Sequence, residues 1–226
     1  MTTHSARPTA TTPTPKPAST PVIAAVVFDL GGVLLDWNPR HLYRDLFHGD
    51  DAAMERFLAE VCTPEWNAEL DAGRPWDEAI ETLSREHPAE RELIAAFRDR
   101  WIEMLGGAFR DTVAVVTDLR DSGIPLYALT NWSAETFALA RPRYPFLDWF
   151  AGIVVSGAEG IRKPDPRIFR LLLDRYGLRA ATTVFIDDVE ENTRAAAALG
   201  FAVVHFQGGD ALRRDLARLG LPVGRG

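Results

Sequence analysis

This 226-residue chain has a single cysteine, Cys62, so it cannot form an internal disulfide, and a reducing compartment, the cytoplasm, is the expected setting. Cys62 lies among apolar and acidic neighbours without the surroundings of a cysteine nucleophile, and it reads as a buried structural thiol. No apolar run approaches the ~20 residues that a membrane-spanning helix needs, which sets a membrane partner aside. Basic tracts are absent as well. With 25 Lys and Arg against 32 Asp and Glu, the formal charge is −7. That balance argues against nucleic acid as a partner but admits small anionic substrates, which need only local positive groups. Residues 1–21, MTTHSARPTATTPTPKPASTP, contain no large apolar residue beyond Met1. A segment of this composition buries too little surface to offset its ordering entropy. It also lacks the apolar core of a secretory signal, so a disordered tail is expected.

What remains is 46% hydrophobic over the whole chain and suits one globular domain carrying an insertion. Its organising stretch is Ala24-Ala25-Val26-Val27-Phe28-Asp29-Leu30-Gly31-Gly32-Val33. A short continuous apolar run bounded by glycines reads as a strand buried on both faces, the pattern of a parallel sheet. Asp29 then falls at the strand's carboxyl end, where the loops of an open α/β sheet shape a ligand crevice. From these ten residues alone, a helix-capping Asp at the end of a core strand reads equally well.

Helical patterns follow near 39–47, 51–61, 64–71, 75–86 and 89–105, with breaks at His48-Gly49-Asp50, Thr63-Pro64, Gly73-Arg74-Pro75 and His87-Pro88 and with no strand expected between them. Beyond Phe109 strands and helices alternate. Strands are expected at 124–129, 152–156, 183–187 and 202–205, and helices at 113–121, 133–140, 166–176, 190–199 and 209–219. Alternation at this spacing implies right-handed crossovers and a Rossmann-like, doubly wound parallel sheet of about five strands. The helical stretch after the first strand would then be an insertion.

Parallel strands bring their carboxyl ends to one edge, where Asp29, Thr130 with Asn131, Lys163, and Asp187 with Asp188 converge. Clustered carboxylates repel one another, and a hard cation with oxygen ligands is the usual compensation; Mg²⁺ fits, because it takes few protein carboxylates and fills its octahedron with water and substrate oxygens. The same layout suits attack by Asp29 on a phosphoryl group, with Lys163 neutralising charge and the Thr130 hydroxyl donating to the phosphoryl oxygens. Trp37 and Trp132 follow the first two of these stretches as candidate walls of a substrate pocket, although aromatic residues beside loops are also commonly structural. His41, His48, His87 and His205 lack metal-ligand spacing and read as packing or surface residues, and Arg141 and Arg143 as a surface loop.

FDLGGVLLDW, LTNWS, IRKPDP and FIDDVEEN, in this order, resemble the four motifs of the haloacid dehalogenase-like hydrolase superfamily, most of whose members are Mg²⁺-dependent phosphatases. The resemblance runs from about residue 24 to 206. It implies an α/β core from residues 22–37 and 107–226, and a C1-type helical cap at 38–106 that closes over the site. Residue by residue, it makes Asp29 the nucleophile, Thr130 and Asn131 the phosphate-binding second motif, Lys163 the third-motif lysine, and Asp187 and Asp188 the metal-binding fourth motif, with Asn192 supporting that loop. The family's further metal contact is a backbone carbonyl, here that of Gly31. Most phosphatases of the family carry an aspartate at that position as general acid/base, a role typically worth about 10²- to 10⁴-fold in rate, and glycine cannot fill it. The expected activity is hydrolysis of small phosphorylated metabolites, sugar phosphates foremost. Two alternatives stay open at this point: a metal-independent 2-haloacid dehalogenase with Asp29 attacking carbon, disfavoured by the acidic fourth motif, and a non-catalytic binding protein on the same fold.

Overall fold

The computed structural model describes residues 22–224; the expected tail at 1–21 lies outside the described residues. The first strand, β1 (Ala25–Phe28), is buried at every position. After it come a short strand β2 (Leu35–Trp37) and five helices, α1 (Arg40–Leu46), α2 (Asp51–Glu60), α3 (Pro64–Asp71), α4 (Trp76–Glu86) and α5 (Arg91–Asp99). The chain then returns through β3 (Leu105–Ala108) and alternates: α6 (Arg110–Asp121), β4 (Leu126–Thr130), α7 (Ala134–Ala140), β5 (Gly152–Val155), the short α8 (Ser156–Glu159), α9 (Pro166–Tyr176), β6 (Thr183–Asp187), α10 (Glu190–Ala198), β7 (Ala202–His205) and α11 (Gly209–Arg218).

Five strands form one parallel sheet in the order β5-β4-β1-β6-β7. Central β1 pairs Val27 with Tyr127 on one side and with Phe185 on the other. Because successive side chains alternate across a strand, Val26 and Phe28 enter one apolar layer while Val27 enters the other with Leu129, Phe185 and the α9 residues Ile168, Phe169 and Leu172. Burial on both faces is why β1 reads as a continuous apolar run. It also fixes Asp29 as the first polar residue past a strand that cannot shift register without exposing that layer.

The insertion packs through an aromatic cluster that is continuous with the first of these layers. Tyr43, Phe57, Trp66, Trp76 and Phe97 meet ring against ring, with Tyr43 and Phe57 centroids 5.0 Å apart and Trp66 and Phe97 5.2 Å apart. Two of its breaks are capped: Asp50 accepts from the Ala53 N–H at 3.0 Å, and Thr63 from the Trp66 N–H at 3.1 Å with Pro64 in the first helical position.

The stretch expected as one helix over 89–105 is divided. The α5 helix ends at Asp99, a 3₁₀ turn covers Trp101–Met104, and β3 pairs antiparallel with β2 across a bulge between Asp36 and Trp37. The α-helix stops at its C-cap Arg100 (φ −117°, ψ 18°), and Gly106 and Gly107 lie beyond it in β3. A Cβ at Gly106 would lie 2.3 Å from the Asp36 carboxylate and 2.8 Å from His41 Nε2, so a side chain there would displace both of those side chains. This two-stranded ribbon carries the chain out of the sheet and back. Among the described residues, no helix is long and apolar enough to cross a membrane.

Candidate active site

Asp29 leaves β1 with its carboxylate held by the N–H of Leu30, which donates to Oδ1 at 2.7 Å. Three residues after Asp29, the chain turns back through Gly32 at φ +75°, a conformation that favours glycine. A Cβ there would stand 2.2 Å from Asp188 Oδ2, so Gly32 also admits the Asp188 carboxylate to the site. At Gly31 a Cβ would meet nothing within 4 Å.

Lys163, with no exposed surface, lies between two carboxylates: its Nζ is 2.9 Å from Asp29 Oδ2 and 2.7 Å from Asp187 Oδ2. Asn131, one residue past β4, holds the lysine's backbone in a reciprocal pair. Its Nδ2 donates to the Lys163 carbonyl at 3.0 Å, and the Lys163 N–H donates to its Oδ1 at 2.8 Å. Thr130 closes β4 and is buried.

Asp187 is fully buried and surrounded by donors: besides Lys163, the Val189 N–H reaches Oδ1 at 2.8 Å, and Asn192 Nδ2 lies 3.0 and 3.1 Å from the two oxygens. Asp188 faces outward. Its backbone carbonyl accepts from His205 Nε2 at 2.9 Å, a contact at the end of β7 that sequence reading assigned to packing or surface. Burial weakens Lys163's hold on its proton, but Asp29 and Asp187 outweigh it and keep the lysine charged. For Asp29 burial raises the pKa, Lys163 opposes that rise, and Asp187 and Asp188 add to it.

Asp29, Asp187 and Asp188 each present an oxygen within 4.8 Å of the others. One lysine against three carboxylates leaves negative charge uncompensated in a largely buried place, and all the donors are hard oxygens. The set fits Mg²⁺.

A cavity of about 240 Å³ opens over this edge. Asp29, Gly31, Asn131 and Asp188 are in its floor, whereas Thr130, Lys163 and Asp187 are not among its walls. Trp37 and Trp132 both line it, together with Trp101 from the 3₁₀ turn before β3 and Asn67 and Asp71 from α3. The last three carry no motif, and their sequence spacing is that of packed helices; only the folding of the insertion over the sheet edge discloses them. Cys62 is buried, and burial pushes its thiol up to about 12, as expected for a structural cysteine.

Asp71 sits where the insertion touches the core. Its carbonyl accepts from Ser156 Oγ, and the same hydroxyl accepts the Trp132 N–H at 2.9 Å. Gly73 and Gly157 meet backbone to backbone beside it: a Cβ on Gly73 would lie 2.9 Å from the Gly157 carbonyl oxygen. Trp76 completes the contact, donating from Nε1 to Ser133 Oγ at 2.8 Å.

Residues 23–200 match the family model of haloacid dehalogenase-like hydrolases. A sesquiterpene phosphatase of Aspergillus oryzae is 30% identical over 200 residues, covering 86% of this chain and 95% of that protein. A phosphoglycolate phosphatase of Yersinia pseudotuberculosis is 28% identical over 187 residues, 79% of this chain and 78% of that one. Among solved structures, a haloacid dehalogenase-family enzyme of Bacteroides thetaiotaomicron in complex with magnesium and inorganic phosphate superposes with a TM-score of 0.63 at 22% identity, covering 83% of this chain and 96% of that chain.

Proposed function

The chain belongs to the haloacid dehalogenase-like hydrolases, and from that premise we propose that it is a Mg²⁺-dependent phosphatase of small phosphate esters, working through an aspartyl-phosphate on Asp29 in the cytoplasm. The observation that carries this reading is the Asp29, Asp187 and Asp188 cluster with Lys163 between two of its members, at the floor of a cavity. Bound Mg²⁺ would supply charge neutralisation of the phosphoryl oxygens, with Asp29, Asp188 and the Gly31 carbonyl as its protein ligands and Asp187 steadying the site through Lys163 and Asn192. Asp29 Oδ attacks phosphorus and the bond to the leaving oxygen breaks. Lys163 holds the attacking carboxylate and offsets negative charge as it accumulates, while Asn131 fixes the lysine's position. Thr130 is proposed to donate to the phosphoryl group on loading.

An excess of carboxylates over cations suits a substrate that arrives with a divalent ion. A halide displacement at carbon has no use for it, which disfavours the dehalogenase alternative. The leaving group is proposed to be uncharged, since no Lys or Arg side chain is among the cavity's described walls while Trp37, Trp101 and Trp132 are. A sugar ring presents an apolar face to such indoles, in keeping with the sugar phosphates expected from sequence. A longer apolar alcohol, of the kind handled by the sesquiterpene phosphatase, is favoured by one further observation. A second cavity of about 490 Å³ shares Trp37 and Asn67 with the first and has Leu58, Cys62 and Phe97 in its walls, with Arg40, Glu55 and Glu65 also lining it.

The test is phosphate release from sugar phosphates, a prenyl monophosphate and 4-nitrophenyl phosphate, and halide release from 2-haloacids, each with Mg²⁺ and with chelator, using Asp29→Asn as the blank. Phosphate release that requires both Mg²⁺ and Asp29 is expected. Chelator-insensitive halide release, or no turnover of any ester, would overturn the reading.

A further inference from the structure

Gly31 leaves the site without the second carboxylate that would protonate a leaving oxygen, and the insertion brings another carboxylate to the same cavity. We propose that Asp71, at the carboxyl end of α3, is the general acid/base of this hydrolase. The inference rests on the phosphatase reading above.

Asp71 lines the same cavity as Asp29, and it comes from α3 of the insertion rather than from the sheet edge that carries Asp29. Its position is built rather than incidental. Ser156 ties its carbonyl to the Trp132 backbone, the Gly73 and Gly157 backbones touch, and Trp76 bonds to Ser133. A residue placed merely at the end of a surface helix would need none of these contacts. The carboxyl itself accepts from Asn67 Nδ2 at 3.1 Å and faces the Ser133 N–H, with Arg162 and Lys163 as the charged groups nearest it from the core. Burial outweighs these and raises Asp71 to about 7, so that near neutrality it holds a proton to give and can take one back.

The chemistry balances without any further reactant. As Asp29 Oδ bonds to phosphorus and the P–O bond to the leaving group breaks, the Asp71 proton passes to the leaving oxygen, which departs as the neutral alcohol. The Asp71 carboxylate then takes a proton from water. The resulting hydroxide attacks phosphorus, phosphate leaves, and Asp29 and the protonated Asp71 are restored. The same assignment gives the insertion a mechanistic part: only when it is seated on Trp132, Ser133 and Gly157 is the acid in place.

The experiment compares kcat/KM for an alkyl phosphate, whose leaving oxygen needs a proton, and for 4-nitrophenyl phosphate, whose leaving group does not, in the presence of Mg²⁺. For Asp71→Asn the expected loss is about 10²- to 10⁴-fold on the alkyl ester and under about 10-fold on the aryl ester. The wild-type fall in kcat/KM with alkyl ester as pH rises through about 7 should vanish in the variant. Adding Gly31→Asp to Asp71→Asn should restore part of the alkyl activity, because a side chain at Gly31 has open space. Equal losses on both esters without rescue, or no loss on either, would overturn the assignment. A wild-type protein inactive on both esters would instead overturn the phosphatase reading itself.

Discussion

The strand-end edge of the sheet and the helical insertion that covers it meet opposite physical demands. The edge concentrates charge in a nearly dry place: Lys163 and Asp187 are fully buried, Asp29 is 8% exposed, and Lys163 Nζ and both Asp187 oxygens have partners within hydrogen-bond range. Such an arrangement tolerates little variation, because removing one partner strands another. The insertion is held by aromatic and aliphatic packing, which many residue combinations satisfy, and it contributes few polar groups to the cavity, Asn67 and Asp71 among them. Chemistry that must be invariant sits on the sheet edge. On the proposed reading, the features that tune substrate and proton transfer sit on the insertion.

The largest effect expected to break this contrast is on the edge. Lys163→Ala leaves Asp29 and Asp187 buried and unpaired and should lower stability by about 3–5 kcal/mol, measured as the shift in urea midpoint at neutral pH without metal. Added Mg²⁺ should recover part of that loss by binding the freed carboxylates. A small shift would mean that these carboxylates already share a proton.

In the insertion the sign reverses. Asp71 has a folded pKa of about 7 against an ordinary value of 3.8, so the folded protein binds the proton more tightly than the unfolded chain, and wild-type stability falls as pH rises between those values. Asp71→Asn carries no such penalty. It should be more stable than wild type at pH 8, by up to about 4 kcal/mol from the size of the shift, and indistinguishable below about pH 4, as thermal melts across pH would record. Gain of stability with loss of alkyl-phosphate turnover is the signature of a residue kept for function.

The smallest effect sharpens the seam between the two regions. Gly73→Ala, at a φ of +96°, places a methyl 2.9 Å from the Gly157 carbonyl oxygen, a backbone atom that cannot rotate away. A cost of about 1–3 kcal/mol is expected. If Asp71 acts only when the insertion is seated, alkyl-phosphate turnover should fall more than aryl-phosphate turnover. Equal falls would separate the seam from proton transfer.

Much was determined by the sequence on its own. The apolar run through β1, the strand and helix alternation after Phe109 and the order of four short motifs specify a parallel α/β sheet of this family, because side-chain periodicity and strand-end polarity are local properties. The same reasoning brings Asp29, Asn131, Lys163 and Asp188 to one edge, since parallel strands of similar length must align their ends. The β2 and β3 ribbon was not legible, for its pairing joins residues about seventy positions apart and its glycines read equally well as a loop. Tertiary structure alone separated Asp188, in the cavity floor, from Asp187, buried behind it with Lys163, although the two are adjacent in sequence. It alone, too, brought Asp71, Asn67 and Trp101 over that floor. Which face of a helix meets a site depends on how a whole insertion packs and on where its ribbon lets it sit, a sum of many weak contacts that no local pattern encodes.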